Sequence, residues 1–338
     1  MSRLVRWGLI GIGILILFLV AGITLTIGWR PFLGPKSRVV TGRAFERTPH
    51  RLERGRYLVT AVASCFDCHS EHDWKSHSAP VLPGMEGAGE VMPLYDLPGR
   101  VVAPNITPDG ETGVGNWTDD ELARAIREGI GHDGRALFPL MPYRKYRSLS
   151  DEDLASIIVY LRSVAPVHHQ LPSTKLNFPV NYLIRSAPEP VTSPVVGPAA
   201  NANAMDRGNY LVDMAACEEC HTPQSRGEPI KGMKLAGGFR LRGAWGDVAA
   251  SNLTPDDSGI KYYDQVLFLQ AMRTGYVRAR ALNPIMPYGN FKNLSDEDLL
   301  AIFDVLRSAK PVRHRVDNSE PPTDCKLCRQ KHGAGQSN

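Results

Sequence analysis

Cys65-Phe66-Asp67-Cys68-His69 decides the reading of this chain, because Cys217-Glu218-Glu219-Cys220-His221 repeats it one structural unit later. Two thiols three residues apart on a tightly wound backbone project to one side, so both can add to the two vinyl groups of a single haem. The pentad C-x-x-C-H reads as covalent c-type haem attachment, with the histidine supplying the proximal imidazole to iron. A lone C-x-x-C is equally a disulfide or half of a zinc site. The repetition argues against that alternative, because it includes the flanks. Arg54-Gly-Arg-Tyr-Leu-Val precedes the first pentad and Arg207-Gly-Asn-Tyr-Leu-Val the second, so a whole unit is duplicated. The expected cofactors are two covalently bound haems c, held by Cys65 and Cys68 and by Cys217 and Cys220, with His69 and His221 as iron ligands.

The sixth iron ligand separates electron carriage from chemistry on small molecules. Of nine methionines, two occupy equivalent places in the repeat: Met141 in Leu140-Met-Pro-Tyr and Met286 in Ile285-Met-Pro-Tyr. Both precede the six-letter repeat that starts at Leu149 and at Leu294, Leu-Ser-Asp-Glu-Asp-Leu, by the same interval. The proline that follows each stiffens the loop presenting the thioether. Met141 and Met286 are therefore expected as the axial partners of His69 and His221. Met214 and Met272 read as core filler. Met85, Met92 and Met233 are loop residues without a repeat partner. His72, His77 and His132 lack counterparts in the second half, and His168 and His169 sit at a helix exit, so satisfied or solvated side chains are expected there. Asn105 and Asn252 do recur, which an Asx-turn or a contact near a propionate would explain equally well.

The 338 residues leave room for two domains of about 110 residues each plus connectors. Domains of that size are marginal on apolar burial alone, and a large cofactor would supply much of each core. The formal charge of +4 is offset by the propionates of two haems, and no basic run interleaved with aromatics suggests nucleic acid as a partner.

Residues 1–29 are expected to be a transmembrane anchor. Trp7 to Trp29 carries no charged side chain and would span about 35 Å as a helix, against a hydrocarbon core of about 30 Å. That apolar run is longer than a cleavable signal requires, and the tryptophan at each end suits the two interfaces. Arg30, Lys36, Arg38 and Arg43 after the span would favour a cytoplasmic domain on charge alone. Covalent haem attachment outside the cytoplasmic membrane outweighs this, since long domains translocate largely regardless of nearby charge. The expected location is the cytoplasmic membrane, single-pass, with both haem domains on the periplasmic or outer face.

A basic spacer, residues 30–50, leads to a first haem domain over 51–168. Helices are expected at Glu53 to Ala63, from the Thr118-Asp-Asp-Glu121 capping box to about Gly129, and from Ser150-Asp-Glu-Asp153 to about Ser163. Residues 70–117, rich in Gly and Pro, read as loops around the cofactor. A proline-rich connector, 169–203, has an apolar middle that is expected to lie across both domains. The second domain, 204–313, repeats the order, with helices at Asp206 to Ala216 and Tyr262 to Thr274. No segment alternates long enough for a sheet, so the architecture is expected to be mainly α. The tail, 314–338, is too short to enclose a haem. It contains Cys325-Lys-Leu-Cys328-Arg329, where arginine stands in place of the histidine. A disulfide is expected for that pair in an oxidising compartment, and zinc with His332 fits less well because only three ligands are visible.

The quoted motifs, together with Pro104-Asn-Ile-Thr-Pro-Asp and Gly113-Val-Gly-Asn-Trp-Thr-Asp-Asp-Glu, resemble the multihaem cytochrome c subunits of bacterial membrane-bound alcohol- and gluconate-type dehydrogenases. The resemblance covers about Arg51 to Val312. It implies two tandem class I-type cytochrome c domains with His/Met haems. The implied partners are the membrane, a dehydrogenase subunit, and an oxidase or soluble cytochrome. That family commonly has three haem motifs and a carboxy-terminal anchor, whereas two motifs and an amino-terminal span are read here. The expected function is a membrane-anchored dihaem electron carrier, not an enzyme by itself. A dihaem peroxidase is the alternative, disfavoured because two matched Met-Pro-Tyr motifs would close both irons. A ligand sensor or scaffold is less consistent with two similarly ligated haems.

Overall fold

The computed structural model describes residues 2–199, 201–225, 227–333 and 335. The chain is mainly helical. Sheet structure among the described residues is limited to two-stranded antiparallel ribbons, the longest pairing Arg240–Gly243 with Gly246–Ala249.

The amino-terminal helix, Arg3–Leu25, is capped by Ser2 and stands clear of the rest of the protein, with Trp7, Leu15, Leu17 and Phe18 exposed. Val5–Leu25 has a mean hydropathy of 2.7, enough to cross a membrane by length and composition. It is equally compatible with a signal peptide. The helix ends four residues before Trp29, where Gly28 takes a left-handed backbone conformation.

Two matched halves follow, each built on a pair of crossing helices. In the first, Pro49–Tyr57 crosses Asp151–Leu161; in the second, Ala204–Met214 crosses Asp296–Ser308. The shared Arg-Gly-x-Tyr motif sets both crossings. A Cβ on Gly55 would sit 1.9 Å from the Ser156 carbonyl oxygen, and one on Gly208 would sit 2.1 Å from that of Ala301, so only glycine permits either approach. The arginine beside each glycine pairs with the acidic first turn of the opposing helix: Arg54 Nε to Asp153 at 2.8 Å and Arg207 Nε to Asp298 at 2.5 Å. Those turns start at Ser150 and Ser295, whose hydroxyls accept from the amides of Asp153 and Asp298. The capping box at Thr118 is fully formed, and its helix, Asp119–Glu128, closes on left-handed Gly129.

Some helix boundaries differ from the sequence reading. The first domain's leading helix starts earlier, at Pro49, because Thr48 caps it, and its last turn, Leu58–Val62, is a widened π turn. The π turn has an arithmetic origin: Arg54 precedes Cys65 by 65 − 54 = 11 residues, whereas Arg207 precedes Cys217 by 217 − 207 = 10. The first half takes up its one extra residue as a π bulge and still delivers its pentad in the same place. The helix expected from Tyr262 begins at Gln265, because Asp264 accepts from the Leu267 amide and acts as its cap.

The tyrosine of each Arg-Gly-x-Tyr motif crosses to the other half. Tyr57 donates to Asp298 at 2.5 Å and Tyr210 to Asp153 at 2.8 Å, while the amides of Ser295 and Ser150 donate to the two phenol oxygens in turn. These reciprocal contacts relate the halves by an approximate twofold axis. Additional bridges tie the loops together: Trp74 packs on Trp245, and the Tyr95 amide donates to the Arg242 carbonyl.

Residues 37–45 run along the helix Asp119–Glu128 rather than standing free. Arg38 holds Asp120 through both oxygens and Glu128 at 2.6 Å, and the Phe45 ring is buried. The connector lies mainly on the first half. Its Lys175–Leu176 pairs with Gly99–Arg100, and the Val195 carbonyl accepts from the Asp151 amide.

Candidate functional site

Each pentad is one short turn of helix, Cys65–Cys68 and Cys217–His221, entered through a residue in the left-handed region: Ser64 at φ 47° and Ala216 at φ 51°. The left-handed residue breaks the preceding helix and redirects the chain, so that the pentad projects inward from the end of that helix. A turn of this kind at a non-glycine residue, found at equivalent places, marks a constraint shared by both halves.

Both histidines are oriented in the same way. His69 Nδ1–H donates to the Pro104 carbonyl at 2.7 Å and His221 Nδ1–H to the Ser251 carbonyl at 2.8 Å. The bond fixes the tautomer and leaves Nε2 with a free lone pair. Burial lowers the pKa of both imidazoles, which keeps them neutral, the form that ligates metal. The residue after each of these carbonyls, Asn105 or Asn252, clamps the loop that carries it. Asn105 Oδ1 accepts from the Thr107 amide at 2.9 Å while Nδ2 donates to the Val167 carbonyl; Asn252 does the same with Thr254 and Val312. The recurrent asparagines are thus Asx-turn residues, buried and satisfied within the protein.

Cys65, Cys68, His69 and Met141, and Cys217, Cys220, His221 and Met286, all line one continuous cavity of about 2130 Å³. Single-ligand pockets run to roughly 300–1,000 Å³, so this space accommodates two large groups. Its walls are chiefly aliphatic and aromatic, including Leu58, Ile126, Phe268 and Leu299. All four thiols line this space, and burial pushes those of Cys65 and Cys217 up to about 12. The pentads are within electrostatic reach of one another: burial pushes the Cys220 thiol up to about 11, with Glu219 and the other half's Asp67 adding to it. Paired thiols, a neutral imidazole with its free nitrogen facing inward, a thioether and an apolar wall form the donor set that a covalently attached haem needs, twice over.

The Met-Pro-Tyr loops rest on buried tyrosines. The Tyr143 ring packs where a Cβ on Gly129 would fall, 2.6 Å away, and Tyr288 does the same against Gly275 at 2.3 Å. Met92, Met214 and Met272 also touch the cavity, while Met233 is buried outside it, against Cys328. His72 is buried between Asp67 and Glu90, and His77 stacks on Tyr276 and donates through Nε2–H to the Thr274 carbonyl across the halves. His132 packs on Trp117, and His168 lies by Asp109 on the surface.

The residue four after each methionine reaches the opposite pentad. Lys145 pairs with Glu218 at 2.6 Å, and Asn290 donates to Asp67 at 3.2 Å. Sequence reading passed over this pair, although their equal spacing after Met141 and Met286 was a usable signal. It also passed over His314, which holds the same place after Leu294 that His169 holds after Leu149.

The chain is similar to the cytochrome subunit of fructose dehydrogenase from Gluconobacter japonicus, 35% identical over 80% of this chain and 56% of that protein. It is 30% identical to the gluconate 2-dehydrogenase cytochrome c subunit of Pantoea cypripedii over 76% of this chain and 59% of that one. A dihaem c-type cytochrome of Cereibacter sphaeroides is 30% identical, over 60% of this chain and 67% of its own length. The chain thus spans little more than half the length of the dehydrogenase subunits it matches. No protein-family model matches it.

Proposed function

Because the chain belongs to the c-type cytochrome family of these dehydrogenase subunits and dihaem proteins, we propose that it is a membrane-anchored dihaem electron carrier. Cys65 and Cys68 would hold one haem and Cys217 and Cys220 the other, with His69 and Met141, and His221 and Met286, as the axial pairs. The halves, 51–168 and 204–313, are then tandem class I-type cytochrome c domains behind an anchor at 1–29. The observation that carries this reading is the doubled set of thiols, inward-facing imidazole and matched methionine on one shared cavity.

Bound haem c supplies reversible one-electron chemistry at iron. The carbonyls of Pro104 and Ser251 hold the two imidazoles in one orientation and raise their basicity. Met141 and Met286 would supply the second ligand to each iron, and the Met-Pro-Tyr loops would then leave water and small ligands no open position. The reciprocal tyrosine contacts fix one half against the other, which keeps the distance between the two sites constant. Electrons would enter from a dehydrogenase subunit on the periplasmic face and leave to a soluble carrier or terminal oxidase, without catalysis by this chain. Mixing the fully reduced and half-reduced protein with hydrogen peroxide in a stopped-flow instrument tests this: slow, non-catalytic oxidation is expected, and enzyme-like peroxide turnover would establish a peroxidase instead.

A further inference from the structure

The tail gathers a second cluster of side chains that can ligate metal. His314, Cys325, Cys328 and His332 converge so that their donor atoms all lie within 4.8 Å of one another. His314 Nε2 is 3.3 Å from Cys325 Sγ, and His332 Nε2 is 3.1 Å from Cys328 Sγ. A tetrahedral zinc with bonds of about 2.3 Å to sulfur and about 2.0 Å to nitrogen needs donor separations of about 3.3–3.8 Å, so the set needs little adjustment to close on an ion.

Three independent features point the same way. Both imidazoles are oriented from behind: His314 Nδ1–H donates to the Ala236 carbonyl at 2.8 Å and His332 Nδ1–H to that of Arg315 at 3.1 Å. Each Nε2 is thereby left as the acceptor atom facing a sulfur. Three of the four are buried, with Cys328 and His314 each 1% exposed and His332 6%, and Cys325 is half-buried at the edge. Space is also reserved for it, since a Cβ on Gly238 would meet His314 Cε1 at 2.6 Å and His332 Nε2 at 2.7 Å. In the first half the position equivalent to Gly238 is Glu90, one residue after the glycine whose amide donates to the pentad histidine's carbonyl. His169, the counterpart of His314, donates in the same way to the Ala88 carbonyl at 3.1 Å, but no thiols meet it. The second half has thus replaced a carboxylate by a glycine and brought the tail hairpin, Thr323–Asp324 paired with Lys331–His332, into the opening.

We propose that His314, Cys325, Cys328 and His332 form a structural Cys2His2 zinc site that clips the tail onto the second half. Both cysteines bind as thiolates, releasing two protons as the ion enters. The fourth ligand, His314, stands at the head of the tail, eleven residues before Cys325 and outside the local Cys-x-x-Cys pattern (325 − 314 = 11). With four protein donors the coordination shell is closed, which suits a structural role and not a catalytic one. The clip holds Gln330 in the wall of the large cavity, where it accepts from the Arg240 amide at 3.1 Å and donates to the Gln224 carbonyl at 2.9 Å.

The test uses the untagged full chain, purified without chelator. Elemental analysis is expected to give one zinc per chain, and zinc-edge X-ray absorption two sulfurs at about 2.3 Å and two nitrogens at about 2.0 Å. Cys325→Ser combined with Cys328→Ser should lose the zinc with the iron content unchanged. His314→Ala, which keeps both thiols, should lose zinc on dialysis and make the thiols open to alkylation. Tail thiols that resist labelling until a reductant is added, in zinc-free protein, would establish a disulfide and overturn the proposal. Zinc that survives the double serine substitution, copper in its place, or coordination without sulfur would overturn it too. Iron content reports the pentads separately, so failure of the zinc site and failure of the haem reading are distinguishable.

Discussion

The two pentads share a scaffold and differ in charge. Around the second, Glu218 is held by Lys145 at 2.6 Å and Lys234 at 2.5 Å; burial pulls its pKa up, but these partners outweigh it and leave the carboxyl below its ordinary value. Around the first, the corresponding arm from across the interface is a neutral amide, Asn290, and Asp67 is pushed up to about 7 by burial. Glu90 nearby is pushed up to about 8, by burial first and then by Asp67 and Glu71. The difference teaches that duplication preserved the geometry that orients the ligands while the electrostatics diverged. At the first site Asp67 and Glu90 are both held above the ordinary carboxylate range; at the second, Glu219, the counterpart of Asp67, is also raised by burial, while Glu218 beside it is compensated by two lysines and lowered.

The largest expected effect tests whether the halves are separate attachment units. Cys65→Ser with Cys68→Ser should lower the pyridine haemochrome from two haems per chain to one, and Cys217→Ser with Cys220→Ser should do likewise. Loss of both haems from either variant would show that the halves cannot load independently. Next come the helix crossings. Gly55→Ala and Gly208→Ala each force a Cβ into a backbone carbonyl and should destabilise by about 3 kcal/mol, read from denaturant unfolding. Unequal losses would show that the π turn beside Gly55 gives the first half slack that the second lacks.

A smaller change is expected from the axial loops. Met141→Ala and Met286→Ala should each remove the sulfur-to-iron absorbance of one ferric haem and lower that haem's potential, because a thioether favours the ferrous state. A variant that keeps both features would disprove that ligand assignment. The smallest effects concern pH and the interface. Raised pKa values mean that Asp67 and Glu90 bind protons more tightly folded than unfolded, so their contribution to stability is complete below about pH 4 and is lost as pH rises through about 7 and 8. Asp67→Asn and Glu90→Gln should flatten that decline, whereas Glu218→Gln should not. Tyr57→Phe and Tyr210→Phe should each cost about 1 kcal/mol for a partly buried hydrogen bond to a carboxylate.

Much of this was readable from residues alone. The pentads, the capping box at Thr118, the serine caps and the matched methionines follow from local chemistry, and the structure places each helix near its expected position. What was not readable depends on residues far apart in sequence. Arg38 looks like one of several basic spacer residues until Asp120 and Glu128 meet it, and the tail cysteines look short of a ligand until folding brings His314 beside them. Gly238 reads as loop punctuation, and only the packed structure shows two imidazoles occupying the space its missing side chain leaves.

The central claim is that two like-built sites carry electrons with unlike electrostatics. A spectroelectrochemical titration of the purified chain at a series of pH values tests it most directly. The account predicts two one-electron waves, of which one falls in potential between about pH 6 and pH 8, as the carboxyls beside the first pentad ionise, and becomes pH-independent in the Asp67→Asn, Glu90→Gln double variant. A single wave from a single haem, or two waves that move together with pH in both proteins, would contradict it.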